Sequence, residues 1–371
     1  YLALLSMLLS PEFAVGGRGA LAEQREVVLR AEDLLLIVIA LSWLAKTALN
    51  KELGLVQKTP LNRPILAYVV VTLLATLVGY LTGTVKSAAG FFYVLKYAEY
   101  FVIYYMVVNN VQDRSQAWRL IRVAFFTAVV VSLIGIAQIP SGQRVSAPFE
   151  GEAGEPNTLG GYLLFMMGLA LGLLLESPRA KTRVWSFGFL ILLTVPFLYT
   201  LSRASYLGVV PLLVVLALLS SRRRLVVGVL VVLLVGSPLV AYLAPTPVVK
   251  RVLYTFEPEA GQPTVKVGRV AFDPSTSARL ISFQQAIGGW TQRPILGWGV
   301  TGFAFMDAQF PRTLVETGVV GLAAFLWLIW SVLGSGFGAV GALKDPVERG
   351  LALGFLAGTV GLLAHAIGAN T

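Results

Sequence analysis

Residues 184–219 read VWSFGFLILLTVPFLYTLSRASYLGVVPLLVVLALL. A helix that crosses a bilayer needs about 20 mostly apolar residues, and this run is nearly twice that length. Arg203, near its middle, is the one charge that interrupts it. Two spans joined by a tight turn, with Arg203 at the membrane surface, satisfy both facts. Ser202 is suited to cap the second helix, and Ser205 falls three positions later. The free N–H groups and dipole of a helix start attract anions, and a guanidinium there adds a planar fork that matches phosphate oxygens. The plainer reading is a snorkelling arginine that marks a turn. Spacing alone leaves both open.

The rest of the chain repeats the pattern. Its 371 residues are 56% hydrophobic and 13% charged, with a mean hydropathy of +0.77, whereas soluble domains carry about 25% charged residues. Apolar runs at about 1–15, 33–49, 64–85, 91–111, 119–139, 159–175, 184–201, 204–219, 225–243, 317–338 and 350–368 predict an all-α polytopic membrane bundle of about 11 spans (range 10–12). They form one integral membrane domain over 1–371, and they are too long and uniformly apolar for barrel strands. Tyr1 opens inside an apolar run and Thr371 follows closely on a span, the pattern expected of a chain trimmed at both ends. There is no cysteine and a single histidine, His365. No disulfide framework, thiolate metal site, His-rich metal centre or Ser-His-Asp triad is expected, and no cofactor.

The net charge of +10 points to membrane orientation rather than nucleic acid. Loops 50–63, 112–122, 176–183, 220–224 and 339–349 carry the excess of Lys and Arg, so the positive-inside rule puts them in the cytoplasm. The 140–158 loop, Arg203 and a long loop, 244–316, then lie outside. A loop of that length is functional or disordered. It holds a helix-like stretch, 278–290, that Asp273 or Ser275 could start. In segment 297–322, a helix beginning near Pro311 puts Arg312 and Glu316 on one face, as an ion pair at its first turn. Asp307 either caps that helix or stands as a base beside the membrane. Lys96 and Glu99, three apart within a span, read as a structural pair or as part of a substrate cavity. His365 reads as a helix–helix hydrogen bond rather than a catalyst.

Four stretches, in order, resemble the O-antigen ligase / O-antigen polymerase superfamily. EPNTLGGYL (155–163) resembles the Asn-bearing start of a middle span, and TLSRAS (200–205) a Ser-Arg motif at an outer turn. SARLISFQQAIGGWTQRPILGWGVTGF (277–303) resembles an arginine helix followed by a Gly-rich segment, and DAQFPRTLVETGVVG (307–321) a helix start ending Glu-Thr-Gly-x-x-Gly. The first 150 residues match only in span pattern. The resemblance implies a metal-independent glycosyltransferase of the bacterial inner membrane with its active face extracytoplasmic. It would move a glycan from a polyprenyl-pyrophosphate donor to a glycan or lipid-glycan acceptor, with a chain-length regulator as an optional partner. Arg203 and Arg279 would hold the pyrophosphate, Asp307 would act at the acceptor hydroxyl, and Arg312, Glu316, Asn157 and Ser202 would bind substrate. The ligase branch has a histidine nine positions before the motif glutamate, where this chain has Asp307. Ala308 and Pro311 also depart from the pattern. These differences favour an O-antigen or exopolysaccharide polymerase over a ligase acting on lipid A-core or protein. A transporter or flippase of lipid-linked oligosaccharide is the non-enzymatic alternative, but no internal repeat of the kind transporters carry is seen.

Overall fold

The structure, a computed structural model, describes residues 57–148, 154–235, 245–256, 264–267, 270–304, 306 and 308–369, with short pieces at 12–14, 28–30, 242 and between 36 and 42. The predicted spans at 1–15 and 33–49 fall mostly outside the described residues. The strands β1 (Glu12–Ala14) and β2 (Val28–Arg30) pair antiparallel, as do β3 (Lys266–Val267) and β4 (Val270–Ala271).

Everything else of regular structure is helical. The chain runs through α1 (Asn62–Leu81), α2 (Ala89–Asn110), α3 (Arg114–Gln138), α4 (Pro156–Glu176), α5 (Ala180–Tyr199), α6 (Arg203–Leu219) and α7 (Arg223–Val235). It continues through α8 (Thr246–Leu253), α9 (Pro274–Gln292), α10 (Gln309–Ala342) and α11 (Pro346–His365). Among the described residues seven helices are long and apolar enough to cross a membrane, namely α1 to α5, α10 and α11, and α6 is a shorter apolar helix. The starts follow local chemistry. Asp113, Ser202, Asp273 and Asp345 each accept a backbone N–H of their helix's first turn, and proline stands at the first turn of α4, α9 and α11.

The spans alternate in direction, so the bundle has two distinct ends. At one, Arg114 pairs with Asp345 at 2.9 Å, and buried Glu176 accepts from Arg349, Ser221 and, at 2.7 Å, Ser220. This end gathers the predicted basic loops. At the other, Arg144 bonds to Thr200, Ser202 to Asn157, and the Gln309 backbone to Ala366.

The central helix is α4, the most buried of the long spans, packed against α11, α5 and α6. Small residues allow the closest of these contacts. A Cβ on Gly168 would stand 2.8 Å from Gly358 Cα, and one on Gly354 would stand 2.5 Å from Gly168 O. With little hydrophobic drive between helices in lipid, such backbone proximity and its dispersion contacts hold the pair. Leu159, Leu163, Leu164, Leu212 and Leu353 fill the core around the seam.

The helix α10 starts at Gln309, earlier than the hydropathy run at 317–338 predicts, because its first turns carry the polar residues Arg312, Thr313 and Glu316. It is broken at Gly318, whose φ of 65° is left-handed. A break in a span frees backbone groups that no water can satisfy. Segment 294–299 supplies the partners: Trp298 N–H donates to Val315 O and Gly299 N–H to Glu316 O, while Val319 N–H donates to Pro294 O and Val320 N–H to Ile295 O. A Cβ at Gly318 would meet Ile295 O at 2.1 Å. Only glycine fits both the dihedral and the space.

Gly354→Ala is expected to lower the thermal midpoint in detergent markedly, by overpacking worth about 1–3 kcal/mol. Gly338→Ala, on the same bundle but with no atom within 4 Å of the added methyl, should leave the midpoint unchanged or slightly raised. Equal midpoints for the two variants would contradict the seam.

Candidate functional site

The turn between α5 and α6 is built from strained backbone and buried hydroxyls. Leu201 has φ 50°, an uncommon value for a residue with a side chain. Arg144, from the loop after α3, secures it. Its Nε donates to Thr200 O at 2.9 Å, and the same guanidinium reaches Leu201 O and Asn157 Oδ1 at 3.4 Å. Ser202 caps α6 and donates to Asn157 Oδ1 at 2.8 Å, while Ser205 donates to Ser202 Oγ at 2.8 Å. Asn157 in turn donates to Glu155 at 2.8 Å. Asn157 and Ser202 therefore orient the turn that presents Arg203.

Arg203, the first residue of α6, points into the long loop. Its two terminal nitrogens reach the two oxygens of Asp273 at 2.7 and 3.1 Å, and one of them also donates to Thr255 Oγ1 at 2.8 Å. Asp273 is fully buried, caps α9 through Ser275 N–H, and accepts from the Thr276 hydroxyl. Burial pushes its carboxyl up, but the hydrogen bonds from Arg203 and Thr276 and the Arg203 charge outweigh that, leaving it below the usual carboxylate range.

Two further arginines from the loop join it. Arg251, at the end of α8, has its pKa lowered by burial first, then by Arg203, with Arg279 also repelling it and Asp273 compensating in part. Its Nε is buried without a hydrogen-bond partner among the described residues, and its guanidinium lies 5.8 Å from the Tyr254 ring. Arg144 is lowered to about 10, by burial first and then by Arg251 and Arg279, with Glu155 opposing. Thus four half-buried guanidinium groups, Arg144, Arg203, Arg251 and Arg279, share one field with two carboxylates, Asp273 and Glu155. Among the described residues this is an excess of partly buried positive charge, an environment that suits an anion.

The other predicted residues lie elsewhere at the same end. Arg312 and Glu316 form the expected (i, i+4) pair at 3.4 Å, nearly buried. Arg312 also donates to Tyr97 Oη at 3.0 Å, and Glu316 accepts the N–H of Thr301, a residue with φ 66°, at 3.2 Å. This pair joins α2, α10 and the Gly-rich segment. His365 is fully buried, its ring near the Cβ position of Gly161. The Asn157 backbone of α4 is the polar group beside it, and among the described residues neither ring nitrogen reaches a partner with ordinary hydrogen-bond geometry. Asp307 lies outside the described residues; its neighbour Gln309 is tied to Ala366, just beyond His365, by a backbone bond of 3.2 Å.

Sequence reasoning missed Arg144, Arg251 and Thr255 as members of the cluster, and it read Asp273 only as a helix start. Arg144 and Arg251 were visible merely as loop charges.

Residues 188–326 match the family model described as O-antigen ligase. The matched stretch includes Arg203, Arg251, Asp273, Arg279, Arg312 and Glu316. The match agrees with the resemblance to the O-antigen ligase / O-antigen polymerase superfamily that the sequence motifs carry. No curated protein matches the chain.

Asp273→Asn should destabilise the protein by about 3–5 kcal/mol, because it leaves the Arg203 charge buried and unpaired. The sign with pH follows from the lowered carboxyl. Its stabilisation is complete above the unfolded value of about 3.9 and is lost as pH falls through the lower folded value. Thermal midpoints in detergent between pH 7 and pH 3 should therefore show an acid-side decline in the parent that is blunted in Asp273→Asn.

Proposed function

We propose that this protein is a membrane glycosyltransferase that moves a glycan from a polyprenyl-pyrophosphate donor to a glycan hydroxyl at the extracytoplasmic face of a bacterial inner membrane. The observation that supports this reading is the gathering of Arg144, Arg203, Arg251 and Arg279 at the membrane-level end of α6 and α9. Among the described residues four guanidinium groups face two carboxylates, a balance that suits a pyrophosphate leaving group. The site lies at a bundle end rather than at mid-membrane, where transporters bind.

In the proposed reaction the acceptor oxygen bonds to the anomeric carbon, and the bond from that carbon to the donor phosphate oxygen breaks. The pyrophosphate leaves with the electron pair, and the acceptor proton passes to a base. The arginines stabilise charge that develops on the leaving oxygen, as preorganised donors do in a site shielded from water. Arg203 is aimed by Asp273 and Thr255, so its orientation is set before substrate arrives. Asp307 is the proposed base or acceptor orienter. The position of Asp307, where the ligase branch carries histidine, favours a polymerase over a ligase.

The test uses purified protein in lipid nanodiscs with the lipid-linked repeat as sole substrate. A ladder of lengthening products is expected; none without a second acceptor would instead indicate a ligase. Arg279→Ala should reduce turnover about 10²–10³-fold at near-parental thermal stability, and Arg203→Lys should reduce it similarly while also lowering stability through loss of the bidentate contact to Asp273. Full turnover in either variant would overturn the proposed clamp. Asp307→Asn should abolish the step that depends on base strength while leaving donor binding intact.

A further inference from the structure

At the opposite end of the bundle from the arginine cluster, α3, α5 and the start of α11 enclose a cavity of about 640 Å³, within the range of small-ligand sites, roughly 300–1,000 Å³. Its wall is aromatic. Trp118, Phe125, Phe126 and Trp185 line it, and Phe125 meets Trp185 edge-on at 5.3 Å. Trp185 and Phe126 also expose about half of their surfaces, 46% and 58%, which opens the cavity sideways, toward where acyl chains would lie. Its rim is basic, formed by Arg114, Arg122, Arg179 and Lys181. The one rim carboxylate, Asp345, is engaged by Arg114 and by the first backbone N–H groups of α11. Arg122, Arg179 and Lys181 are exposed and form no ion pair among the described residues.

We propose that this cavity is a binding site for an anionic phospholipid, with a chain against the Phe125–Phe126–Trp185 wall and the phosphate held by Arg122, Arg179 and Lys181. The charge complementarity is one-sided: three uncompensated cations surround a slot whose interior is apolar and whose opening faces lipid. A soluble anion would have no use for that wall, and a zwitterionic lipid would bring a cation to a basic rim. Basic pockets between spans on the cytoplasmic side bind acidic head groups for this reason. The site is separate from the proposed donor site, so it stands or falls independently of the glycosyltransferase reading.

The full chain is purified in detergent, reconstituted with defined lipids and examined by native mass spectrometry. Dioleoyl phosphatidylglycerol should be retained in preference to phosphatidylcholine. The triple variant Arg122→Gln, Arg179→Gln, Lys181→Gln should weaken its retention about a hundredfold, since each basic residue near a membrane surface contributes about fivefold. Phosphatidylglycerol brominated along its chains should quench tryptophan fluorescence, and Trp185→Phe should remove much of that quenching without altering the fold. Equal retention of both lipids, undiminished retention by the triple variant, or competition by glycerol phosphate at equal concentration would each overturn the proposal. Preferential displacement by polyprenyl phosphate would also overturn it, by reassigning the cavity to a prenyl chain.

Discussion

The bidentate pair between Arg203 and Asp273 governs this end of the molecule. A guanidinium at the tip of an apolar helix is costly unless a countercharge and hydrogen bonds meet it. Asp273 supplies both from the far side of the long loop, and because it also caps α9 it fixes that helix against α6. Arg279, one turn into α9, is thereby delivered to the same region as Arg203. Arg251 follows because Thr255, just beyond α8, accepts the Asp273 N–H at its backbone carbonyl and an Arg203 N–H at its hydroxyl. A single ion pair thus organises three arginines, and Arg144 approaches from the other side by holding the strained turn at Leu201.

The two ends of the bundle solve the burial of charge in different ways. Around Glu176, every strong donor is matched: Arg349, Ser220 and Ser221 converge on one carboxylate, and Arg349 also reaches Leu219 O at 3.0 Å. That arrangement is closed and serves to fasten α4, α6 and α11 together. At the arginine cluster cations outnumber carboxylates among the described residues, and burial first, then mutual repulsion, lowers Arg144 and Arg251. Structural ion pairs perturb their partners toward the charged state; a cluster that perturbs its members away from it is poised for a ligand.

Much of the architecture could be read from hydropathy. Nine of the eleven apolar runs coincide with described helices, because a run of about 20 apolar residues has few alternatives in lipid. The caps at Ser202 and Asp273 and the Arg312–Glu316 pair were also legible, since each rests on residues a few positions apart. What could not be read depends on distance along the chain. Nothing near Arg203 announces Asp273, and nothing near Arg144 announces the carbonyl groups of Thr200 and Leu201. The break at Gly318 was hidden for a different reason: glycine is common in spans, and its left-handed dihedral is demanded by a segment that hydropathy treats as loop. His365, expected to bond across helices, is buried on α11 with the Asn157 backbone of α4 beside it.

The stitched break in α10 bears on how the chain assembles. Its partners, Pro294 to Gly299 and Val315 to Val320, come from neighbouring stretches of chain, so closing them costs little loop entropy. Such local contacts form early and quickly compared with contacts between distant segments. The Gly-rich segment and α10 can therefore close on each other as a local unit, whereas the Arg203–Asp273 pair must close a stretch of 70 residues. The arginine cluster thus rests on a longer-range closure than the break in α10 does.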